Sequence, residues 1–196
     1  MRKLIVCNII SLDGYFEGPG NDVMALPFDP AFDDYNAERL RAADTLLQGR
    51  TTFEQSKSYW PSIAADPTVR PVEREISGLF NDIEKIVVSD SLTPKETPPW
   101  QDTRIFRRAE AHHQIAELKH KPGKDILVIG SHKLWNDLLS GGLIDELHLM
   151  IGAGVLGAGT PAFEGGSPVA LELLESRTLD GSQLVLTRYG VRANGA

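Results

Sequence analysis

The stretch that most constrains the fold is DILVIGS, residues 125–131. Its apolar, largely β-branched run stops at Gly130, and a helical pattern begins at Ser131. A strand that passes through a glycine into a helix presents backbone N–H groups and the positive helix end to an anion. Residues 45–52, TLLQGRTT, repeat this layout around Gly49. Two such units predict that the phosphates of a nucleotide lie along one edge of a sheet.

The rest of the chain alternates strand and helix patterns. Strands are predicted over residues 3–10, 45–48, 85–89, 104–106, 125–129 and 146–151. Helices are predicted from residue 30, from residue 51, and over 72–80, 109–119 and 131–139, with a hairpin from 169–178 and 183–191. Such alternation predicts an α/β fold whose mostly parallel sheet is covered on both faces. No linker interrupts the pattern, so we expect one domain over residues 1–196.

Local signals refine this prediction. Asp29 and Pro30 have the residue types of an N-cap and a first helical position. Thr51 and Glu54 have the spacing of a capping box for the next helix. Residues 61–71 are expected to form a loop, and the glycine-rich residues 11–20 a mobile flap.

Composition excludes several classes of protein. The 196 residues carry a net charge of −7, which argues against nonspecific binding to nucleic acid or to an acidic membrane. No stretch resembles a targeting signal or a membrane span. The single cysteine, Cys7, precludes an intrachain disulfide. We therefore expect a cytoplasmic protein.

Several side chains near the turns could contribute chemistry. Arg50 adds a guanidinium to the first turn, which suits a phosphate. Asp33 and Asp34 could supply a proton from a cleft, or could face water at a helix N-terminus. Asp13 could fix its own turn or contact a ligand.

Common catalytic motifs are not found in the sequence. It has neither a Walker nor a GxGxxG fingerprint, and its five histidines lack the spacing of a metal site. No Ser-His-Asp order or reactive cysteine context is visible. We therefore predict that a bound cofactor carries the chemistry, with no metal.

The chain resembles the dihydrofolate-reductase-like superfamily, most closely the reductase domain of bacterial bifunctional riboflavin-biosynthesis deaminase–reductases. The matching segments, in the family's order, are SLDGYFEG (11–18), LLQGRTTFE (46–54), KIVVS (85–89), ILVIGSHKLWNDLLSGGLIDELHL (126–149), LGAGTPAFEG (156–165) and LVLTRYG (184–190). The resemblance implies a three-layer fold around a mixed sheet of about eight strands. It also implies an NADPH-dependent reductase that forms a homodimer.

Family roles can be carried over residue by residue. The positions that match cofactor contacts are Ile9, Gly49, Arg50, Thr51, Thr52, Ser89, Gly130, Ser131 and Leu134. Asp13 would lie near the nicotinamide and the substrate. Counting back from GRTTF places Asp33 at the substrate-binding acid, with Asp34 as the neighbouring alternative.

Three departures from the family limit this carry-over. Ala153 stands where the family often has proline, which would loosen a loop near the substrate. Asp90 follows Ser89, and a carboxylate there favours a ribose 2′-OH, so NADH stays open beside NADPH. The zinc signature of the deaminase domain, HxE…PCxxC, is absent from the sequence.

The resemblance implies hydride transfer to a C=N or C=O group of a small polar substrate. The relevant reactions are those of 5-amino-6-(5-phosphoribosylamino)uracil reductase and dihydrofolate reductase. The alternative is a non-catalytic protein that binds a dinucleotide, or that keeps the fold for oligomeric interactions. A hydrolase is disfavoured because no nucleophile is visible.

Overall fold

The structure is a computed structural model and describes residues 1–165 and 168–192. Its strands are β1 Leu4–Ile10, β2 Tyr15–Glu17, β3 Ala43–Gly49, β4 Glu84–Val88, β5 Arg104–Phe106, β6 Asp125–Ile129, β7 Glu146–Ile151, β8 Thr160–Pro161, β9 Leu171–Thr178 and β10 Val185–Val191. Its α-helices are α1 Pro30–Ala42, α2 Arg50–Ile63, α3 Pro71–Asp82, α4 Arg108–His120 and α5 His132–Ser140.

The central sheet has eight strands in the order β5-β4-β3-β6-β1-β7-β10-β9. The first six of these run parallel, and β10 is antiparallel to both β7 and β9. The predicted parallel sheet with a C-terminal antiparallel hairpin is therefore confirmed. Because β4, β3, β6 and β1 are neighbours, the turns that follow them lie along one edge of the sheet.

The sheet is covered on both faces, as its continuous apolar strands predict. On one face, alternate strand residues such as Ile5 and Leu127 pack with α1, α2 and α3 through Leu40, Phe53 and Phe80. The intervening strand residues pack with α4 and α5 through a second cluster. Its largest fully buried member is the side chain of Trp135. This arrangement gives the three layers that the resemblance implies.

Most local predictions hold at the level of whole elements. Asp29 caps α1 by accepting a hydrogen bond from the Ala31 N–H, at 2.9 Å, as predicted. The Thr51–Glu54 capping box is wrong, because α2 begins one residue earlier and has Gly49 as its N-cap, with no side-chain cap bond. The loop predicted from residue 61 begins later, since Pro61 lies in the last turn of α2.

The flap of residues 11–20 contains the short strand β2, which pairs with β8. Phe16 in β2 packs on the His132 ring with a centroid distance of 4.9 Å, which links the flap to the start of α5. This pairing was not predicted, because β8 has only two residues and no periodicity. Among the described residues, no helix is long and apolar enough to cross a membrane.

Candidate active site

The two glycine turns, which are predicted to bind the same ligand, are in direct contact with each other. Ser131 Oγ accepts a hydrogen bond from the Gly49 N–H at 2.9 Å, and the Ser131 N–H donates to Thr52 Oγ1 at 3.0 Å. The Gly130 N–H donates to Asn8 Oδ1, at 2.7 Å, on the neighbouring β1. Three side chains therefore bind the ends of β1, β3 and β6 into one unit.

The backbone at the second turn is unusual. Gly130 and Ser131 are both left-handed, with φ of 69° and 55°. A non-glycine residue in this region carries strain that is often found at functional sites. A Cβ at Gly130 would lie 3.2 Å from Thr52 Cγ2, so glycine also permits the two turns to approach.

Two helix N-termini open at this edge. Neither α2, which starts after Gly49, nor α5, which starts after Ser131, has a side-chain cap bond. The N–H groups of Gly49, Gly130 and Ser131 already have side-chain acceptors. The first turns of the two helices therefore remain as the donors and the positive dipole ends that an anion would meet.

Arg50 lies beside this edge but is engaged by carboxylates. Its guanidinium donates to Glu54 and Glu96, each at 2.8 Å, and to Ser91 Oγ at 2.9 Å. These contacts tie the start of α2 to the segment after β4. A phosphate at Arg50 would have to share the guanidinium with two negative groups.

Ser89, at the end of β4, shapes the neighbouring loop. Its buried Oγ accepts hydrogen bonds from the N–H groups of Ser91 and Leu92, at 3.2 and 3.0 Å. The next residue, Asp90, accepts a 3.0 Å bond from the Arg108 N–H at the start of α4. The Asp90 carboxylate therefore has a partner of its own.

The remaining predicted cofactor contacts differ in exposure. Ile9, near the end of β1, and Leu134, in the first turn of α5, are buried, whereas Thr51 is exposed on α2. Ile9 and Leu134 pack in the clusters on opposite faces of the sheet. Their side chains therefore support the edge of the sheet that carries the two glycine turns, one from each face.

A cleft of about 130 Å³ opens beside the two turns. It lies between α1, α2 and α3 and the ends of β3 and β6. Its lining is formed by Phe32, Asp33, Asn36, Gln48, Thr52, Ser56, Trp60, Ile76, Phe80, Ile129 and Gly130. The structure thus brings Asp33 into the same cleft as Thr52 and Gly130.

Asp33 is half-buried in this cleft and forms an ion pair with Arg70, the residue before α3. Burial raises the pKa of Asp33, although the Arg70 guanidinium opposes this shift. Asp34, the neighbouring alternative, is exposed and does not line the cleft. Of the two candidates, Asp33 has the setting of a group that exchanges a proton with a bound molecule.

Asp13 stands apart from the cleft. Its carboxylate accepts bonds from Ser11 Oγ at 2.7 Å and from the N–H groups of Leu156 and Gly157 at 3.1 and 2.7 Å. The Ser11 bond, together with these N–H groups, lowers the pKa of Asp13 to about 2. These contacts anchor the loop that contains Ala153. The absence of a proline at position 153, which was expected to loosen this loop, is thus offset by the bonds to Asp13.

Sequence reasoning missed three residues of the site. Asn8 joins β1 to the Gly130 turn, Gln48 lines the cleft from the end of β3, and Arg70 pairs with Asp33. Asn8 carried a usable signal, because it is a polar residue inside the otherwise apolar strand β1. Gln48 carried a weaker one, since it follows two leucines directly before the Gly49 turn. Arg70 carried none, since only the packing of α3 on α1 brings it to Asp33.

Comparison with known proteins supports this view of the fold. The family described as the RibD C-terminal domain matches residues 2–185. The uncharacterized protein YyaP of Bacillus subtilis is 31% identical over 180 residues, which cover 90% of this chain and 89% of that protein.

Two solved structures have the same fold. One is a Thermotoga maritima diaminohydroxyphosphoribosylaminopyrimidine deaminase/5-amino-6-(5-phosphoribosylamino)uracil reductase, with a TM-score of 0.66 at 14% identity. The match covers 97% of this chain and 57% of that one. The other is Enterococcus faecalis dihydrofolate reductase complexed with NADP(H) and RAB-propyl, with a TM-score of 0.60 at 16% identity, covering 97% of both chains. The chain thus has a dihydrofolate reductase-like fold and belongs to the family of the RibD C-terminal domain.

Proposed function

We propose that the chain is a single-domain, NADPH-dependent reductase that transfers a hydride to a C=N or C=O carbon of a small polar substrate. The observation that carries this proposal is the joining of two uncapped helix N-termini, through Ser131 and Thr52, beside a cleft that contains Asp33. Membership of a reductase family and the fold of dihydrofolate reductase support it.

The residues present fit a dinucleotide. The first turns of α2 and α5 would hold the phosphates, with Thr51 and Thr52 on one side and Gly130 and Ser131 on the other. Ser89 and Arg50 would adjoin the adenosine, and Ile9 and Leu134 would back the edge. When bound, a reduced nicotinamide supplies the hydride. We propose NADPH as the cofactor and keep NADH as the alternative, because Arg50 already binds two carboxylates.

Asp33 is proposed to handle the proton. Reduction of a C=N or C=O group needs one proton for each hydride, delivered to the nitrogen or oxygen. A carboxyl group whose pKa is raised by burial is better able to hold that proton near neutral pH. Arg70 would fix the orientation of the carboxyl group. The apolar side chains around the cleft would exclude water.

The alternative is a protein that binds a dinucleotide without turnover. The same uncapped helix starts would serve it, but it would need no proton donor in the cleft. The half-buried Asp33 therefore favours the reductase.

The first experiment is a titration of the purified chain with NADPH and NADH, followed by nucleotide fluorescence. Oxidation of the bound nucleotide is then measured with a panel of ketones, imines and pterins. Saturable binding with oxidation by at least one compound is expected. Binding without oxidation by any of them would favour the alternative, and failure to bind either nucleotide would refute both dinucleotide hypotheses.

We also propose a cytoplasmic homodimer. β9 is an edge strand on which Leu171, Leu173 and Leu174 are exposed, and such an edge is usually covered in a stable protein. Sedimentation equilibrium should give twice the chain mass, and Leu173→Lys should shift it toward the monomer. A wild-type chain that sediments as a monomer at all concentrations would refute the dimer.

A further inference from the structure

Gln48 is the polar residue of the cleft whose hydrogen bonding is incomplete. It is 1% exposed at the end of β3, and its Nε2 donates to Ser56 Oγ at 3.0 Å. Its carbonyl oxygen, Oε1, has no hydrogen-bond partner among the described residues. A buried carbonyl left unpaired is destabilising, and most such groups in folded proteins are paired. Because Gln48 lines the cleft, a donor group of a bound molecule can supply the missing partner.

The size of the cleft limits that molecule. A volume of about 130 Å³ is close to that of the roughly 150 Å³ cavity that binds one benzene ring. The walls are largely apolar and include Trp60 and Phe80, whose rings stack at 5.0 Å and 20°. The cleft therefore suits a small flat ring, and because the cleft is open to solvent a second, fused ring can extend toward its mouth.

The charge around the cleft limits the molecule further. Among the described residues, no lysine or arginine lines the cleft, and its one charged lining residue is Asp33. Arg70, which pairs with Asp33, also contacts Glu73 at 3.1 Å. A phosphate or carboxylate in this position would be desolvated beside an acidic side chain, without a cation of its own.

Resting on the proposed function, we propose that the substrate is an uncharged, unphosphorylated ring and that its N–H group donates to Gln48 Oε1. Gln48 then determines which rings bind. This substrate class differs from the phosphoribosyl compound named for the Thermotoga maritima reductase.

The test uses three related probes: isatin, which has a ring N–H; N-methylisatin, which lacks it; and isatin-5-sulfonate, which is anionic. Dissociation constants are measured by NMR titration on the apo chain and again with saturating NADP⁺, which has no hydride to transfer to the probes. Isatin is expected to bind about 10-fold more tightly than N-methylisatin, as the loss of one buried hydrogen bond predicts. Isatin-5-sulfonate is expected to bind more weakly than both.

A variant tests whether Gln48 accepts the hydrogen bond from the N–H group of the ring. Gln48→Met keeps the length of the side chain but removes the acceptor, so the preference for isatin over N-methylisatin should fall to about 1. The matched control is Gln55→Met, an identical change at an exposed position on α2, which should keep the 10-fold preference. If Gln48→Met does not fold, the probe comparison on the wild-type chain decides alone.

The outcomes separate this inference from the reductase proposal. Equal binding of isatin and N-methylisatin, tighter binding of the sulfonate, or no binding of isatin would overturn the inference and leave the nucleotide titration unaffected. An N–H preference that depends on Gln48 would support it even if neither nucleotide bound. In that case the reductase proposal would fail, and the ring would be a ligand of the cleft and not a substrate.

Discussion

Two buried polar clusters lie on the same face of the sheet, and they differ in how completely they are paired. In the first, fully buried His148 lies 2.8 Å from both the Tyr35 hydroxyl and the Glu146 carboxylate. Glu146 also binds Lys3 at 2.5 Å and Arg188 at 3.1 Å. The side-chain groups at the centre of this cluster find their partners within the protein.

The second cluster is the cleft, and it is incomplete. Asp33 has a single cation as partner and a raised pKa, and Gln48 has an unpaired carbonyl. Buried polar groups that satisfy one another specify and stabilise a core, whereas unsatisfied ones have an interaction still to make. From this difference we expect the His148 cluster to stabilise the fold and the cleft to bind a ligand. Substitutions in the His148 cluster should therefore change the free energy of unfolding, and substitutions in the cleft should change ligand binding or turnover.

The largest effect is expected from Glu146→Ala. It removes the carboxylate shared by His148, Lys3 and Arg188, and breaking a buried ion pair typically costs 3–5 kcal/mol. We expect a loss of about 3 kcal/mol in the free energy of unfolding, near the low end of that range. Arg188 keeps its 2.8 Å contact with Glu175, which explains the smaller loss.

Urea denaturation measures this loss, and Glu175→Ala is the control. It removes a more exposed partner of the same Arg188 and should cost less than about 1 kcal/mol. Equal losses in the two variants would contradict the assignment of the His148 cluster as structural.

The next largest effect is expected from acid. Because a carboxylate only accepts, the 2.8 Å contact with Glu146 assigns the ring proton to His148 Nε2, which leaves Nδ1 to accept from the Tyr35 hydroxyl. With this tautomer the Arg188 Nε atom, 3.2 Å from His148 Nε2, makes a close contact but no hydrogen bond to the ring. Burial lowers the pKa of His148 to about 4 from its ordinary 6.5. Burial alone would raise the pKa of Glu146, but the bonds from His148, Lys3 and Arg188 lower it to about 2 from 4.5.

Both shifts act in the same direction. Each group binds fewer protons in the folded state, so its stabilisation is present above its ordinary pKa and is lost as the pH falls toward the folded value. The free energy of unfolding should therefore decrease from pH 6.5 downward, first through His148 and then, below 4.5, through Glu146. Thermal unfolding across this range measures the decrease. His148→Gln should flatten the curve between pH 6.5 and 4, and an unchanged slope would exclude His148 as its cause.

Asp33→Asn should have the opposite effect to Glu146→Ala, because we expect it to lower the reaction rate and not the stability. The rate of reduction of a C=N or C=O substrate should fall about 100-fold, which is the low end of the range for loss of a general acid. NADPH affinity and the free energy of unfolding should change little. Single-turnover nucleotide oxidation measures the rate. Asp34→Asn, at the exposed neighbour, should leave that rate unchanged. A normal rate in Asp33→Asn would remove this carboxyl group from the mechanism.

Much of the fold could be predicted from the sequence, because its signals are local. The apolar runs of β1 and β6 and the Asp29-Pro30 start of α1 each carry their own pattern. The Thr51–Glu54 capping box failed for a long-range reason. The Gly49 N–H is bound by Ser131, which lies 82 residues away along the chain.

The candidate site was predictable only in part for the same reason. The glycine turns were visible because turn chemistry is written in neighbouring residues. The pairing of Asp33 with Arg70 joins α1 to the start of α3, and the unpaired Gln48 carbonyl depends on what packs around it. Neither could be predicted without knowing which elements pack together.

The smallest effect on stability is expected from changing Gln48 and Ser56 in the cleft. The double variant Gln48→Met/Ser56→Ala removes the unpaired carbonyl and the hydroxyl that holds the other end of its amide group. Replacing a partly satisfied buried pair by apolar groups is often neutral or stabilising, so we expect a gain of about 0.5 kcal/mol in the free energy of unfolding. Urea denaturation beside Gln55→Met, which should be near neutral, measures the gain. A loss as large as that of Glu146→Ala would mean that Gln48 serves the core, and the distinction between the two clusters would fail.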